Sequence, residues 1–323
     1  MAGSRLNKLL SVPVFCSVVL LTTSAGFAQP AEADLPSQSA KIAQLTLPPI
    51  AVSDMTVDGR SYSVFVMRPA KPAPPDGFPL LVVLDANADF ATAASSAWAR
   101  SAFSDIAPIV VVGIGYPDAN LKNVLSRRAF DFTSSAQNEH SPDLSGMPMG
   151  GAEAFRNKVV AGVLARMDRQ ENINPRCHVL FGHSLGGLFV VDTLFRTPEM
   201  FEGYFAASPA LHANDFEIFN RVPHRDRMGT LLPNSVRLHL VVGQREAKIS
   251  ARQLKAFPAF KNAPDAKMVS SVQGLSRLLT GASSKLQVTT EILPGESHLS
   301  EVPRVLSEAV TFTSECPSAG EMR

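Results

Sequence analysis

The stretch Gly182-His183-Ser184-Leu185-Gly186-Gly187 decides how the chain reads. It follows a short apolar run, 177–181, and opens a longer one, 185–195. The first run has the length of a strand and the second the length of a helix, with its small residues at the start. Gly-x-Ser-x-Gly at a strand–turn–helix junction is the spacing of a nucleophile elbow. There the serine stands at the tip of a tight turn, in a strained backbone conformation that exposes its hydroxyl. Gly182 and Gly186 leave the space that side chains two residues away would fill. The N–H of Leu185 then lies at a helix N-terminus, where free donors and the helix dipole favour an oxyanion. A chance pentapeptide in an ordinary βα loop is the alternative, and the flanking strand and helix weigh against it.

Outward from the elbow, strand-like and helix-like segments alternate. Strands are expected over 61–67, 80–84, 109–114, 204–208, 236–242 and 288–293. Helices are expected over 90–103, 268–279 and 302–312, and along the stripe Phe155, Val159, Val163 and Met167. The uninterrupted apolar runs 80–84 and 109–114 suit a parallel sheet covered on both faces. The alternation predicts an α/β fold with a mostly parallel central sheet flanked by helices. A long polar stretch rich in Gly, Pro and Met, 127–151, reads as a connection, either a lid or a plain surface loop.

Residues 1–28 have the pattern of a signal peptide: Arg5 and Lys8, an apolar stretch over 9–27, then Gly26-Phe27-Ala28 before a cleavage point at Gln29. The dense apolar part, 12–21, is shorter than the ~20 residues of a spanning helix. No stable membrane insertion is therefore expected after its removal, and the expected location is periplasmic or secreted. Residues 29–49 read as a flexible linker and 50–323 as one large domain. Losing Arg5 and Lys8 takes the basic count from 30 to 28 against 29 acidic residues. A near-neutral chain without a basic block excludes nucleic acid as a partner. No phosphate-binding Gly-rich loop and no Cys/His cluster of metal-site spacing is present, so no cofactor or metal is expected. A monomer is expected. Cys177 and Cys316 are the only cysteines beyond the leader. Cys177 begins the elbow strand and the last helix runs back toward that end, so an oxidising compartment would let them pair.

With the elbow placed, the surrounding residues resemble the esterase family of α/β-hydrolases, which includes siderophore esterases of the enterobactin type, S-formylglutathione hydrolases and mycolyltransferases. The matching stretches are Leu80-Leu-Val-Val-Leu-Asp-Ala-Asn87, Ile109-Val-Val-Val-Gly-Ile-Gly-Tyr-Pro117, Arg128-Ala-Phe-Asp-Phe-Thr133, Gly150-Gly-Ala-Glu-Ala-Phe155, and 179–212 with Ser208-Pro-Ala-Leu-His212. The combination is most similar to the siderophore-esterase branch. The family usually has Asp-Gly after its third core strand, where this chain has Asp85-Ala86. The resemblance implies the α/β-hydrolase fold and a hydrolase acting on a small-molecule ester.

A serine hydroxyl needs a base within hydrogen-bond reach, and the base needs an orienting partner. In this fold their order is Ser, acid, His. Of seven histidines, His298 in Pro294-Gly-Glu-Ser-His298 follows the last strand and precedes the last helix, where the fold delivers its base. His183, at the elbow's variable position, is expected only to pack. Glu246, in the loop Gly243-Gln244-Arg245-Glu246, is the candidate acid. The alternatives are an exposed Glu246 pairing with Arg245 or Lys248, and a Ser–His pair without a strong acid. By resemblance, Asn87 supplies the second oxyanion N–H beside Leu185, and Asp85 holds that loop. Arg127 and Arg128 are candidates for holding an anionic or catechol-like group, with a pair to Asp131 as the plainer reading. The sequence thus points to a serine carboxylic-ester hydrolase working through an acyl-enzyme, with siderophore-like esters or trilactones as candidate substrates. An acyltransferase on the same Ser–His site and a non-catalytic binding protein on this fold are the rivals.

Overall fold

Eight strands form one sheet in the order β1-β2-β4-β3-β5-β6-β7-β8. They are β1 (Ile50–Val57), β2 (Arg60–Met67), β3 (Phe78–Val83), β4 (Val110–Gly115), β5 (Ile173–His183), β6 (Gly203–Ala207), β7 (Val236–Gly243) and β8 (Leu286–Leu293). The computed structural model describes residues 48–118, 120–134, 147–248, 251, 255 and 267–316. The leader expected over 1–28 and the linker as far as residue 47 lie outside them. β1 and β2 form an antiparallel hairpin, β2 runs antiparallel to β4, and every pairing from β4 through β3 to β8 is parallel. This is the α/β-hydrolase arrangement. The hairpin turns at Asp58-Gly59, both at positive φ (48° and 75°), the conformation that a tight two-residue connection demands. β1 is an additional edge strand. Its largely exposed residues carry little apolar signal, although Asp-Gly ahead of 61–67 marks a hairpin.

The central strands bury both faces. Leu80, Val82, Val110, Val112, Leu180 and Tyr204 face one layer, and their neighbours Leu81, Val83, Val111, Val179, Phe181 and Phe205 face the other. That is the two-residue alternation of a pleated strand, here apolar on both sides. Helices α1 (Ala86–Ala102) and α6 (Val302–Ser314) cover the second layer through Phe90, Ala93, Ala97, Val305, Leu306 and Val310. The first layer is covered by α2 (Leu121–Phe132), α3 (Ala161–Gln170), α4 (Leu185–Arg196) and α5 (Met268–Leu279).

Two segments depart from the sequence reading. The connection expected over 127–151 begins as helix: α2 runs to Phe132 and buries Ala129, Asp131 and Phe132. Its inward face carries charge, which hides the apolar periodicity. Of the rest of that stretch, 135–146 lie outside the described residues. The amphipathic helix expected along Phe155 and Val159 opens as a π-helical segment, Phe155–Val160, before α3. All four stripe residues are buried, and so is Arg156, which pairs with Asp192 of α4. Periodicity alone assigns such a cation to the outer face.

Among the described residues no helix is long and apolar enough to cross a membrane. Cys177 on β5 is bonded to Cys316, just beyond α6, with their Cα atoms 5.8 Å apart. The bond closes a loop of 139 residues, which restricts the unfolded chain. Replacing Cys316 by Ser is expected to cost ~2–4 kcal/mol, and thermal melts of oxidised and reduced wild type should differ in the same direction.

Candidate active site

The parallel strands deliver their C-terminal ends to one edge of the sheet, where α/β proteins bind ligands. Asn87 follows β3, Ser184 follows β5, Glu246 follows β7 and His298 follows β8. Ser184 has φ 60° and ψ −118°, a region sparsely populated by residues with a side chain. Three backbone bonds pin it there: Ser184 N–H donates to Ala207 O, and Ser184 O accepts from Leu188 and Ala210, each at 3.0 Å. A Cβ on Gly182 would come within 2.3 Å of Gly186 O, so position 182 admits only glycine. At Gly186 the nearest atom would be 3.4 Å away, whereas at Gly187 backbone atoms would be met at 2.9 Å. The tight glycines are therefore 182 and 187, not 182 and 186.

The loops after β7 and β8 are joined. Arg245 N–H donates to Glu296 O at 2.8 Å, and Gly243 has no Cβ to collide with that same carbonyl, which one would meet at 2.7 Å. The junction brings the sequence's acid and base together: His298 Nδ1 lies 2.6 Å from Glu246 Oε2. The Glu246 side chain is 5 % exposed and that of His298 28 %. Oε1 of Glu246 accepts from Gly243 N–H at 2.9 Å and from Ser208 Oγ at 2.5 Å. Glu246 therefore does not pair with Arg245 or Lys248 at the surface.

His183, immediately before Ser184, does more than pack. Its ring lies against that of His298, centroids 4.5 Å apart, and its Nε2 is 2.7 Å from the His298 carbonyl oxygen. Burial first, then the neighbouring His298, pushes its pKa down to about 3, so the ring is neutral. A neutral ring facing a carbonyl must carry its proton on Nε2 and donate it. His298 is thereby tied to the residue preceding the elbow serine.

Two helix N-termini border the site. Leu185 opens α4 and Asn87 is the second residue of α1, so both N–H groups belong to first turns and lack intrahelical acceptors. The Asn87 side chain does not cap α1: it accepts from Tyr116 N–H at 2.8 Å and donates to Tyr116 O at 2.9 Å, fixing the helix start to the end of β4. Asp85 is the N-cap of α1, at φ 50°. Arg128 grips it with two hydrogen bonds, Nε to Oδ1 at 2.8 Å and Nη2 to Oδ2 at 2.7 Å. Arg127 lies across the rings of Tyr62 and Tyr116, at 4.8 and 4.7 Å from their centroids. Both arginines thus have partners within the fold, and neither is hydrogen-bonded to Asp131, which accepts from Tyr62 Oη at 3.3 Å.

The sequence reading missed Ser208 and Glu301. Ser208 follows β6, and Glu301 lies three residues after His298; both are buried. Their positions at strand ends were visible, but polar residues in loops give no sign of facing inward. Among the described residues, the group of three ligand-type side chains close enough to share a metal is His239, Glu291 and Glu308, within 4.8 Å of one another. Arg304 bonds Glu291 at 2.5 Å and Glu308 Oε1 at 2.7 Å, and His239 Nδ1 meets Thr289 Oγ1 at 2.6 Å, while Glu308 Oε2 has no hydrogen-bond partner among the described residues.

A serine at a strained strand-to-helix turn, with a carboxylate-bonded histidine packed against the residue that precedes it, is an arrangement of the α/β-fold serine hydrolase class. Residues 56–274 match the Esterase family. The chain is 29 % identical over 261 residues to the ferri-bacillibactin esterase BesA of Bacillus subtilis, covering 79 % of this chain and 85 % of that one. It is 31 % identical over 251 residues to the siderophore enterobactin esterase of Emericella nidulans, covering 72 % and 80 %. The siderophore hydrolase EstB from Aspergillus nidulans superposes with a TM-score of 0.68 at 26 % identity, covering 84 % of this chain and 97 % of that one. The chain belongs to the Esterase family of α/β-hydrolases, and it is a serine-hydrolase-type esterase.

The paired Asp85 and Arg128 hold the start of α1, and with it the Asn87 N–H. Replacing Arg128 by Gln is expected to lower kcat for p-nitrophenyl butyrate about tenfold with KM nearly unchanged, as for a loss confined to the transition state. A raised KM with kcat intact would instead mark Arg128 as a substrate contact.

Proposed function

We propose that this enzyme hydrolyses siderophore esters, with catecholate trilactones as the leading substrates, through an acyl-enzyme on Ser184. His298 takes the Ser184 proton as the hydroxyl attacks the ester carbonyl and returns it to the departing alcohol. Glu246 orients His298 through Nδ1 and stabilises the imidazolium that forms. The N–H groups of Leu185 and Asn87 hold the oxyanion. Water, activated by the same histidine, then releases the acyl group. The observation that carries this reading is the 2.6 Å bond from His298 Nδ1 to Glu246, made by a ring packed against the residue preceding Ser184.

The substrate class rests on the relatives, which include a ferri-bacillibactin esterase and a siderophore enterobactin esterase. The proposed location, periplasmic or secreted, is supported by the leader-like pattern over 1–28 and by the Cys177–Cys316 bond, which suits an oxidising compartment. The enzyme is proposed to act as a monomer.

The test compares kcat/KM for a catecholate trilactone, free and iron-loaded, with that for p-nitrophenyl acetate and butyrate. Preference for the trilactone is expected, and short esters cleaved with no trilactone opening would remove the siderophore assignment. His298→Ala should lower kcat roughly 10³-fold or more, and Glu246→Gln less, because that variant weakens orientation but keeps the base. Wild-type turnover in Glu246→Gln would point to a Ser–His pair.

A further inference from the structure

The hydrogen-bond chain does not end at Glu246. Ser208 Oγ lies 2.5 Å from Glu246 Oε1 and 2.5 Å from Glu301 Oε1, and Ser208 and Glu301 are both 0 % exposed. A hydroxyl carries one proton and can donate to only one of two carboxylate oxygens. The other short contact therefore requires a second proton, supplied by one of the carboxyl groups. Glu246 is the poorer holder, since its oxygens already accept from Gly243 N–H and face His298 Nδ1. Glu301 is different. Its Oε2 has no hydrogen-bond partner among the described residues, and although it is the N-cap residue of α6 its side chain does not bond that helix. A charged carboxylate sealed in such surroundings would be stabilised by one hydroxyl at most, whereas the neutral acid has a use for its proton.

We infer that Glu301 is a protonated acid that positions Glu246 through Ser208: Glu301 Oε1–H donates to Ser208 Oγ, and Ser208 Oγ–H donates to Glu246 Oε1. The inference rests on the reading of Glu246 and His298 as acid and base. Glu301 is then a positioning residue that acts on the base through two others.

The groups facing Glu301 agree with this state. Glu246, Glu296 and Glu308 are carboxyls, and the nearby ring, His183, has its Nε2 3.8 Å away and is neutral. Burial, opposed by the Ser208 bond and reinforced by those carboxyls, pushes Glu301 up from 4.5 to about 8. Above that pH two carboxylates would compete for one hydroxyl and repel each other, and Glu246 would lose its fixed place under His298. The sign for stability is the same. The native state keeps a proton that the unfolded chain releases, so this contribution is full below 4.5 and is lost as pH rises through about 8.

The test is the kcat–pH profile for p-nitrophenyl butyrate from about pH 6 to about pH 10, corrected for spontaneous hydrolysis, in wild type, Glu301→Gln, Glu301→Ala and Ser208→Ala. Wild-type kcat should fall roughly tenfold as pH rises past about 8, as when a charge-assisted hydrogen bond is lost. Glu301→Ala and Ser208→Ala should be slow throughout and lack that alkaline fall. Glu301→Gln should recover most of what Glu301→Ala loses, because its amide donates to Ser208, and it should stay active at alkaline pH because it cannot ionise. A wild-type profile flat to high pH, or a Gln variant that keeps the alkaline fall, would overturn the inference while leaving the roles of Ser184, His298 and Glu246 standing. Undiminished turnover in Ser184→Ala would overturn that underlying reading first.

Discussion

The site depends on one carboxylate held from several sides. Glu246 receives Gly243 N–H and the Ser208 hydroxyl on one oxygen and faces His298 Nδ1 with the other. Those contacts come from the C-terminal end of β7 and from the loops after β6 and β8, three neighbouring parallel strands. A carboxylate with three hydrogen-bond contacts from the ends of three strands has little freedom to turn. The orientation of the histidine is thus set by sheet geometry, which is stiff, rather than by a loop alone. The bond between Arg245 N–H and Glu296 O closes the assembly on its outer side.

The Ser184 side has a similar construction. Ser184 sits in a strained conformation, and the strain is maintained by backbone bonds to Ala207, Leu188 and Ala210 and by the missing side chain at Gly182. The His183 ring then spans the gap between the two halves, placed by its position in the elbow and committed to the His298 carbonyl. The two first-turn donors, at Leu185 and Asn87, are each fixed by an element that reaches the same edge. At Asn87 the fixing is done by side chains: its own amide clasps the Tyr116 backbone, and Arg128 clasps Asp85.

Much of this was legible in the sequence. That Ser184, Glu246 and His298 would reach the same edge of the sheet follows from the chain order of the fold, because parallel strands put their C-terminal loops on one edge whatever the loops contain. Apolar runs such as 80–84 and 109–114 located the core strands for the same reason. What stayed hidden were inward-facing polar groups. Arg128, Arg156, Ser208 and Glu301 carry no periodic signal, since their inward placement depends on partners distant in sequence: Asp85 for Arg128, Asp192 for Arg156, Glu246 for Ser208, and Ser208 for Glu301. Helix α2 was read as a connection because its buried face includes Asp131. The second tight glycine of the elbow, Gly187, is constrained by the loop after β6 rather than by the turn itself, so local spacing did not mark it.

The central claim is that Ser184 is the nucleophile and that the fold holds it ready to react. The direct measurement is peptide mapping by mass spectrometry after treatment with a fluorophosphonate, which traps a serine only where a base and an oxyanion site serve it. The account predicts a single adduct, on the peptide containing Ser184, formed much more slowly in His298→Ala and absent in Ser184→Ala. An adduct on another side chain, or labelling of Ser184→Ala at the wild-type rate, would contradict it.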